Sequence, residues 1–172
     1  MAFFDFIKTA GEKLFSSKDN EAASAAVASA PDDAAAKAKA EALNRTAGDA
    51  IEAYVKSQDL AATGLTVTFD GATGVATVFG IAPDQATKEK ILLCCGNVGG
   101  VAQVDDKMSV EVAQPQAKFH TVVSGDNLSK IAKQFYGDAN KYPVIFEANK
   151  PMLKHPDKIY PGQVLRIPPL ED

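Results

Sequence analysis

The sequence predicts an α+β protein made of two small units, the first running helix, strand, strand, helix, strand and the second strand, helix, helix, strand. Three observations carry this. Apolar residues alternate on both sides of a turn at Asp70-Gly71-Ala72-Thr73-Gly74, as in a hairpin. Helical spacing brackets that hairpin on either side. From Lys118 onward the charge balance reverses: eight Lys and Arg against six Asp and Glu give +2, while the rest of the chain holds ten against sixteen, or −6.

At the N-terminus, Phe3, Ile7, Ala10 and Leu14 fall on one face of a helix, so residues 1–15 are expected to form a helical docking segment that Gly11 ends or bends. Phe3, Phe4, Phe6 and Phe15 would be a liability in water. Docking onto the protein's own body is the expectation; a membrane surface or a partner is the alternative, which Asp5 and Glu12 oppose.

Residues 16–42 carry 12 of the chain's 29 Ala and almost nothing large, so the 46% hydrophobic content overstates the core. The first half of this stretch is expected to be a mobile tether. After Pro31, Asp32 and Asp33 offer a cap, and Leu43, Ala47, Ile51, Tyr54 and Val55 continue at helical spacing to about Gln58.

The first unit spans residues 43–113. Its strands are expected at Leu65 to Phe69 and Val75 to Gly80, its second helix from Pro83 to Cys95 with Gly96 as the stop, and its last strand at Lys107 to Val112. Cys94 and Cys95, adjacent in a helical pattern, read as buried reduced thiols. A linker at 114–118 leads to the second unit at 119–170. There His120 to Val123 reads as a strand, Asp126 as the cap of a helix carrying Leu128, Ile131, Ala132 and Phe135, Tyr142 to Asn149 as a second helix, and Tyr160-Pro161-Gly162 as the turn into a final strand.

Several function classes are disfavoured. A net charge of −4 argues against a nucleic-acid partner. No apolar run approaches a membrane span, and Asp5 and Lys8 interrupt the only stretch resembling an export signal, so a cytoplasmic location is expected; the chain is also expected to be a monomer. His120 and His155 stand apart from any recognisable nucleophile, and neither a phosphate-cradling GxxxxGK motif nor spaced Cys pairs for zinc occur, so the chain is not expected to be an enzyme.

Residues 46 to 113 resemble a BON domain, with Gly80 after the second strand and the loop Gly96-Asn97-Val98-Gly99-Gly100-Val101 before the last. Residues 119 to 168 resemble a LysM domain more strongly, through Phe119-His120-Thr121-Val122-Val123-Ser124-Gly125-Asp126-Asn127-Leu128, Phe146-Glu147-Ala148-Asn149-Lys150 and Ile159-Tyr160-Pro161-Gly162-Gln163-Val164-Leu165-Arg166-Ile167-Pro168. Asn127 stands where many such modules carry Thr. The two modules in this order, behind a Phe-rich start ending Ala10-Gly11-Glu12-Lys13-Leu14, are similar to the bacterial potassium-binding (Kbp) family.

That resemblance implies a protein that binds one K+ and becomes compact on binding it, a K+ sensor. Potassium is held by neutral carbonyl oxygens that replace its water shell, whereas clustered carboxylates suit calcium or magnesium. By resemblance, the backbone oxygens of Ile7, Ala10 and Glu12 meet those of Gly96, Val98 and Val101, with Gly11 the substitute for the third N-terminal donor. Rb+, Cs+ and NH4+ are the expected surrogates. From spacing alone, the same glycines equally fit a helix stop and a tight turn.

A LysM domain also implies a groove for N-acetylglucosamine-containing glycans such as peptidoglycan, formed here by Ser124, Gly125, Asp126, Asn127, Asn149, Ile159, Tyr160 and Pro161. Envelope glycan binding is therefore the alternative function, and a protein partner on this module is the other possibility.

Overall fold

The computed structural model describes residues 2–6 and 11–171. In chain order it carries β1 (Ala2–Asp5), α1 (Ser17–Ser29), α2 (Ala34–Ser57), β2 (Thr63–Asp70), β3 (Val75–Asp84), α3 (Gln85–Gly96) and β4 (Gln103–Val112). There follow β5 (Lys118–Thr121), α4 (Leu128–Tyr136), a 3-10 turn at Ala139–Lys141, α5 (Tyr142–Ala148) and β6 (Val164–Ile167). The α+β class and both element orders are as the sequence predicts.

In the first module the strands lie in the order β1-β4-β3-β2. β2 and β3 form the hairpin, closed by Asp70, whose carbonyl accepts the Gly74 N–H at 2.8 Å and whose Oδ1 accepts the Ala72 N–H at 2.9 Å. β3 and β4 run parallel, connected through α3. Helices α2 and α3 supply Ile51, Val55, Ile91, Leu92 and Cys95 to a core completed by Val67, Phe69, Val78 and Val104 from the strands. Each large aliphatic side chain buried in this way contributes about 1.5–3 kcal/mol. Asp33 caps α2 by accepting the Ala35 and Ala36 N–H groups, and Asp84 caps α3 by accepting that of Thr87.

Two expectations for the N-terminal region are corrected. The first residues of the segment expected as a helix over 1–15 are a strand: Ala2–Asp5 pairs antiparallel with Gln103–Asp106 of β4. The exposed edge of β4 offers unpaired N–H and C=O groups, and a Phe-rich tetrapeptide suits a pleated, half-buried surface better than the helical spacing suggests. Phe4, Phe6, Leu14 and Phe15 pack against the first module's core, Phe15 meeting the ring of Phe69 at 4.9 Å.

The stretch expected as a mobile tether is also ordered. Its first half is α1, capped by Ser16 and laid against α2 with Asn20 and Ala23 buried. Asn20 Nδ2 donates to Asn44 Oδ1 at 3.0 Å, and the same oxygen accepts the Gly71 N–H at 3.0 Å, so α1, α2 and the hairpin turn meet at one amide. Ala buries little surface, yet it is the best helix former and lets two helices approach closely.

In the second module, β5 and β6 pair antiparallel, and α4 and α5 close a core of Val122, Leu128, Ile131, Ile145, Leu165 and Ile167. The helix cap differs from expectation by one residue. Asn127 Oδ1 accepts the Lys130 N–H at 2.8 Å, whereas Asp126 turns back to accept the Val123 N–H at 3.0 Å and to meet His120 Nε2 at 2.8 Å.

The modules are joined by buried polar contacts. Arg166 of β6 donates through Nε to Glu89 of α3, which also accepts the Ala117 N–H at 3.0 Å and Gln85 Nε2 at 2.9 Å. Phe4 meets Phe119 edge to face at 5.2 Å.

Candidate ion site and the module junction

The site grows from the end of α3. Gly96 is its last residue, and Asn97 caps it by donating its N–H to the Leu93 carbonyl at 2.9 Å. The carbonyls of a last helical turn point along the axis and carry partial negative charge. Here the helix end that faces the loop is that of α3.

The N-terminal segment is stitched to this loop at two points. Phe6 N–H donates to the Ala102 carbonyl at 2.8 Å. Further along, Glu12 forms a parallel bridge with Val98, its N–H reaching the Asn97 carbonyl at 2.9 Å and its own carbonyl accepting the Gly99 N–H at 2.7 Å. Val101 N–H closes the loop on the Val98 carbonyl at 3.1 Å.

Of the six expected carbonyl donors, the structure therefore gathers Glu12, Gly96, Val98 and Val101 around one short loop, while Ile7 and Ala10 lie outside the described residues. Val98 and Val101 are fully buried. The Glu12 and Val98 carbonyls each accept one backbone hydrogen bond, and a carbonyl oxygen has a second lone pair. Among the described residues no three His, Cys, Asp or Glu side chains gather as a metal-ligand group.

The glycines have distinct causes. Gly11 (φ +104°) and Gly100 (φ +106°) occupy left-handed backbone, and a Cβ on Gly11 would fall 2.0 Å from the Asn97 carbonyl oxygen. Gly96 makes room for a ring instead: a Cβ there would fall 2.0 Å from Phe6. Gly99 has only ordinary contacts around its Cβ position. Of these two loop glycines, the left-handed backbone requirement falls on Gly100 alone.

Asn97 was legible only as a loop residue, yet it anchors the second module. Its side-chain amide pairs with both backbone groups of Val164 in β6. Beside it lies a cavity of about 420 Å³, bounded by Glu12, by Tyr54 of α2, by Cys94 of α3 and by Leu153, Lys154, Lys158 and Tyr160 of the second module. Burial, then the nearby charge of Glu12, pushes the Cys94 thiol up to about 12, and burial raises Cys95 well above the usual range. Both cysteines are free, buried and held as neutral thiols. Burial first, with Glu12 contributing, likewise raises the phenols of Tyr54 and Tyr160.

The expected glycan residues stand in different settings within the second module. Ser124, Gly125, Asp126 and Asn127 make the exposed turn before α4, where Lys130 Nζ donates to the Gly125 carbonyl at 2.9 Å. Asn149 is buried, its Nδ2 donating to the Ile145 and Arg166 carbonyls at 2.7 and 2.8 Å and its Oδ1 accepting the Arg166 N–H at 2.8 Å. Its amide holds α5 to β6. Ile159 packs against the second core, Pro161 is exposed, and Tyr160 faces the junction cavity. Glu89 and Arg166 were not singled out from sequence, because nothing local marks two charges that pair 77 residues apart.

The BON domain family matches residues 32–112 and the LysM domain family residues 120–168. The chain is 46% identical over 169 residues to the potassium binding protein Kbp of Escherichia coli O6:H1 (strain CFT073), covering 98% of this chain and 99% of that one. Shorter likenesses are to a Deinococcus radiodurans protein, 51% identical over 49 residues covering 28% of this chain and 19% of that protein, and to an esterase of Mycobacterium tuberculosis (strain H37Rv), 39% identical over 74 residues covering 41% of this chain and 16% of the esterase. With near-complete mutual coverage and both domains in the same chain, this protein belongs to the Kbp family of paired BON and LysM domains.

Proposed function

We propose that the protein binds one potassium ion through backbone carbonyls of the N-terminal segment and the Gly96–Val101 loop, and acts in the cytoplasm as a sensor that becomes compact when the ion is bound. The observation that carries this is the Glu12–Val98 bridge, which brings the N-terminal chain against the loop; among the described residues no acidic metal-ligand cluster stands there. The name of the E. coli relative supports the choice of ion. Ile7 and Ala10 complete the proposed donor set with Glu12, Gly96, Val98 and Val101. Rb+, Cs+ and NH4+ serve as surrogates because a ring of carbonyls discriminates by size and field more than by charge. The protein works by binding and not by catalysis.

Sensing follows from the donors lying on two separate stretches of chain. An ion that binds only their joined arrangement draws the population toward it. Calorimetry of potassium-free protein, titrated first with KCl and then with NaCl, tests the proposal: heat and thermal stabilisation with K+ but not with Na+ are expected, and no response to K+ rejects it.

A second role for the LysM domain rests on its exposed Ser124 to Asn127 turn and on the 58% exposed Val123 beside it. Peptidoglycan in this role would co-sediment the protein, and Ser124→Trp would abolish the effect without altering K+ binding.

A further inference from the structure

The cavity between the modules has an unusual charge pattern. Its lining includes the Glu12 carboxylate, close enough for its charge to be felt by Tyr54 and Tyr160, and the exposed side chains of Lys154 and Lys158. Among the described residues neither ammonium group has an ion-pair partner, and neither phenol has a hydrogen-bond partner. Burial keeps both phenols protonated, so they remain donors with an aromatic face. Its volume of about 420 Å³ lies within the size range of small-molecule sites.

The chemistry narrows the occupant. An anion alone would meet Glu12, a cation alone would meet two lysines, and a neutral molecule would leave both signs unanswered. We propose that the junction cavity binds a small zwitterion, its ammonium end set against Glu12 and the rings of Tyr54 and Tyr160 and its carboxylate end held by Lys154 and Lys158. Paired aromatic rings beside a carboxylate favour a substituted ammonium, which is attracted to ring faces and weakly hydrated. Lysines on the rim supply the complementary charge for the carboxylate.

Because the walls come from both modules, the zwitterion binds only the docked arrangement and stabilises it by mass action. The site uses the Glu12 side chain, whereas the proposed ion site uses its carbonyl, so the two can be tested separately.

The test is calorimetry on the full chain in saturating KCl with glycine betaine as the zwitterion, choline as the cation without a carboxylate, and acetate as the anion without an ammonium. Betaine should bind about tenfold or more tighter than either control. The double variant Lys154→Gln/Lys158→Gln, at exposed positions, should weaken betaine by at least about tenfold while leaving K+ titrations unchanged. Tyr160→Leu should do the same where it folds. Absence of betaine binding, equal binding of choline, or full binding by the double-lysine variant would overturn the proposal. Loss of K+ binding with betaine binding retained would reject the potassium reading and leave this one standing.

Discussion

Asn97 uses both ends of its side-chain amide on the backbone of Val164: Nδ2 donates to the Val164 carbonyl and Oδ1 accepts the Val164 N–H, both at 2.9 Å. The amide thus imitates a strand neighbour for the first residue of β6. On its own backbone, Asn97 accepts the Glu12 N–H. One residue therefore ties the second module and the N-terminal segment to the same loop. Replacing Asn97 with Ala leaves partly buried Val164 groups without partners, and should cost roughly 1–3 kcal/mol in urea unfolding. Asn97→Asp, which keeps the acceptor and loses the donor, should cost less than Ala. An unchanged unfolding midpoint for Asn97→Ala would show that the clasp contributes nothing.

Gly100→Val and Gly99→Ala separate the backbone requirement from mere loop position. At Gly100 the left-handed backbone alone costs a side chain about 1–2 kcal/mol, and a Cβ would also lie 2.9 Å from Ser17 and 3.2 Å from Phe15. Gly100→Val should abolish or sharply weaken K+ binding in calorimetry, and Gly99→Ala should retain it. Equal affinity for both variants would detach the loop from the ion.

The Glu89–Arg166 pair is buried on both sides. Arg166→Met strands the Glu89 carboxylate and should destabilise the protein by about 3–5 kcal/mol. Adding Glu89→Met should recover much of that loss, although the Ala117 N–H and Gln85 lose their acceptor. A thermal denaturation cycle over the two singles and the double measures the coupling; additive losses would mean the pair does not act as a unit.

Asp126 sets an acid limit on the second module. The Val123 N–H first, then the His120 hydrogen bond, hold its carboxyl below the usual carboxylate value. A folded value lower than the unfolded one contributes stability that is full above the unfolded pKa, about 3.9, and fades as pH falls through the folded value. Asp126→Asn should remove this component, so the wild-type advantage in urea unfolding should be present at neutral pH and shrink as pH falls below about 4. An advantage that does not shrink would contradict the assignment.

The Asn20–Asn44 contact holds α1 in place. Asn20→Ala should cost about 1 kcal/mol and make α1 more open to proteolysis between Ser17 and Ser29. Unaltered cleavage would mean that the Ala-rich face alone is enough.

Much of the fold was legible because local signals and burial agree. The hairpin at Asp70–Gly74, the capped helix after Pro31 and the Gly-Asp turn before α4 all lie where the sequence places them. Two segments were misread for one reason each. Phe3, Ile7, Ala10 and Leu14 do fall at helical spacing, but the open edge of β4 gives Ala2–Asp5 a partner no local pattern reveals. The first half of residues 16–42 looked too small to order, but Asn20 and Asn44 supply a long-range amide contact. Within the candidate site, the glycines were visible and their division of labour was not: backbone angle and the contacts with Ser17 and Phe15 separate Gly100 from Gly99, and the Phe6 ring explains Gly96.

The sequence by itself determined the α+β class, the two modules and their order, because hydrophobic period and turn residues are local properties that survive without knowledge of neighbours. Only the tertiary structure decided that Glu12 lies against Val98, that Asn97 grips Val164, and that Glu89 meets Arg166 across the junction. Those contacts join residues far apart in the chain, and they depend on where hydrogen-bonding groups are left unpaired once each module has formed, which no local pattern encodes.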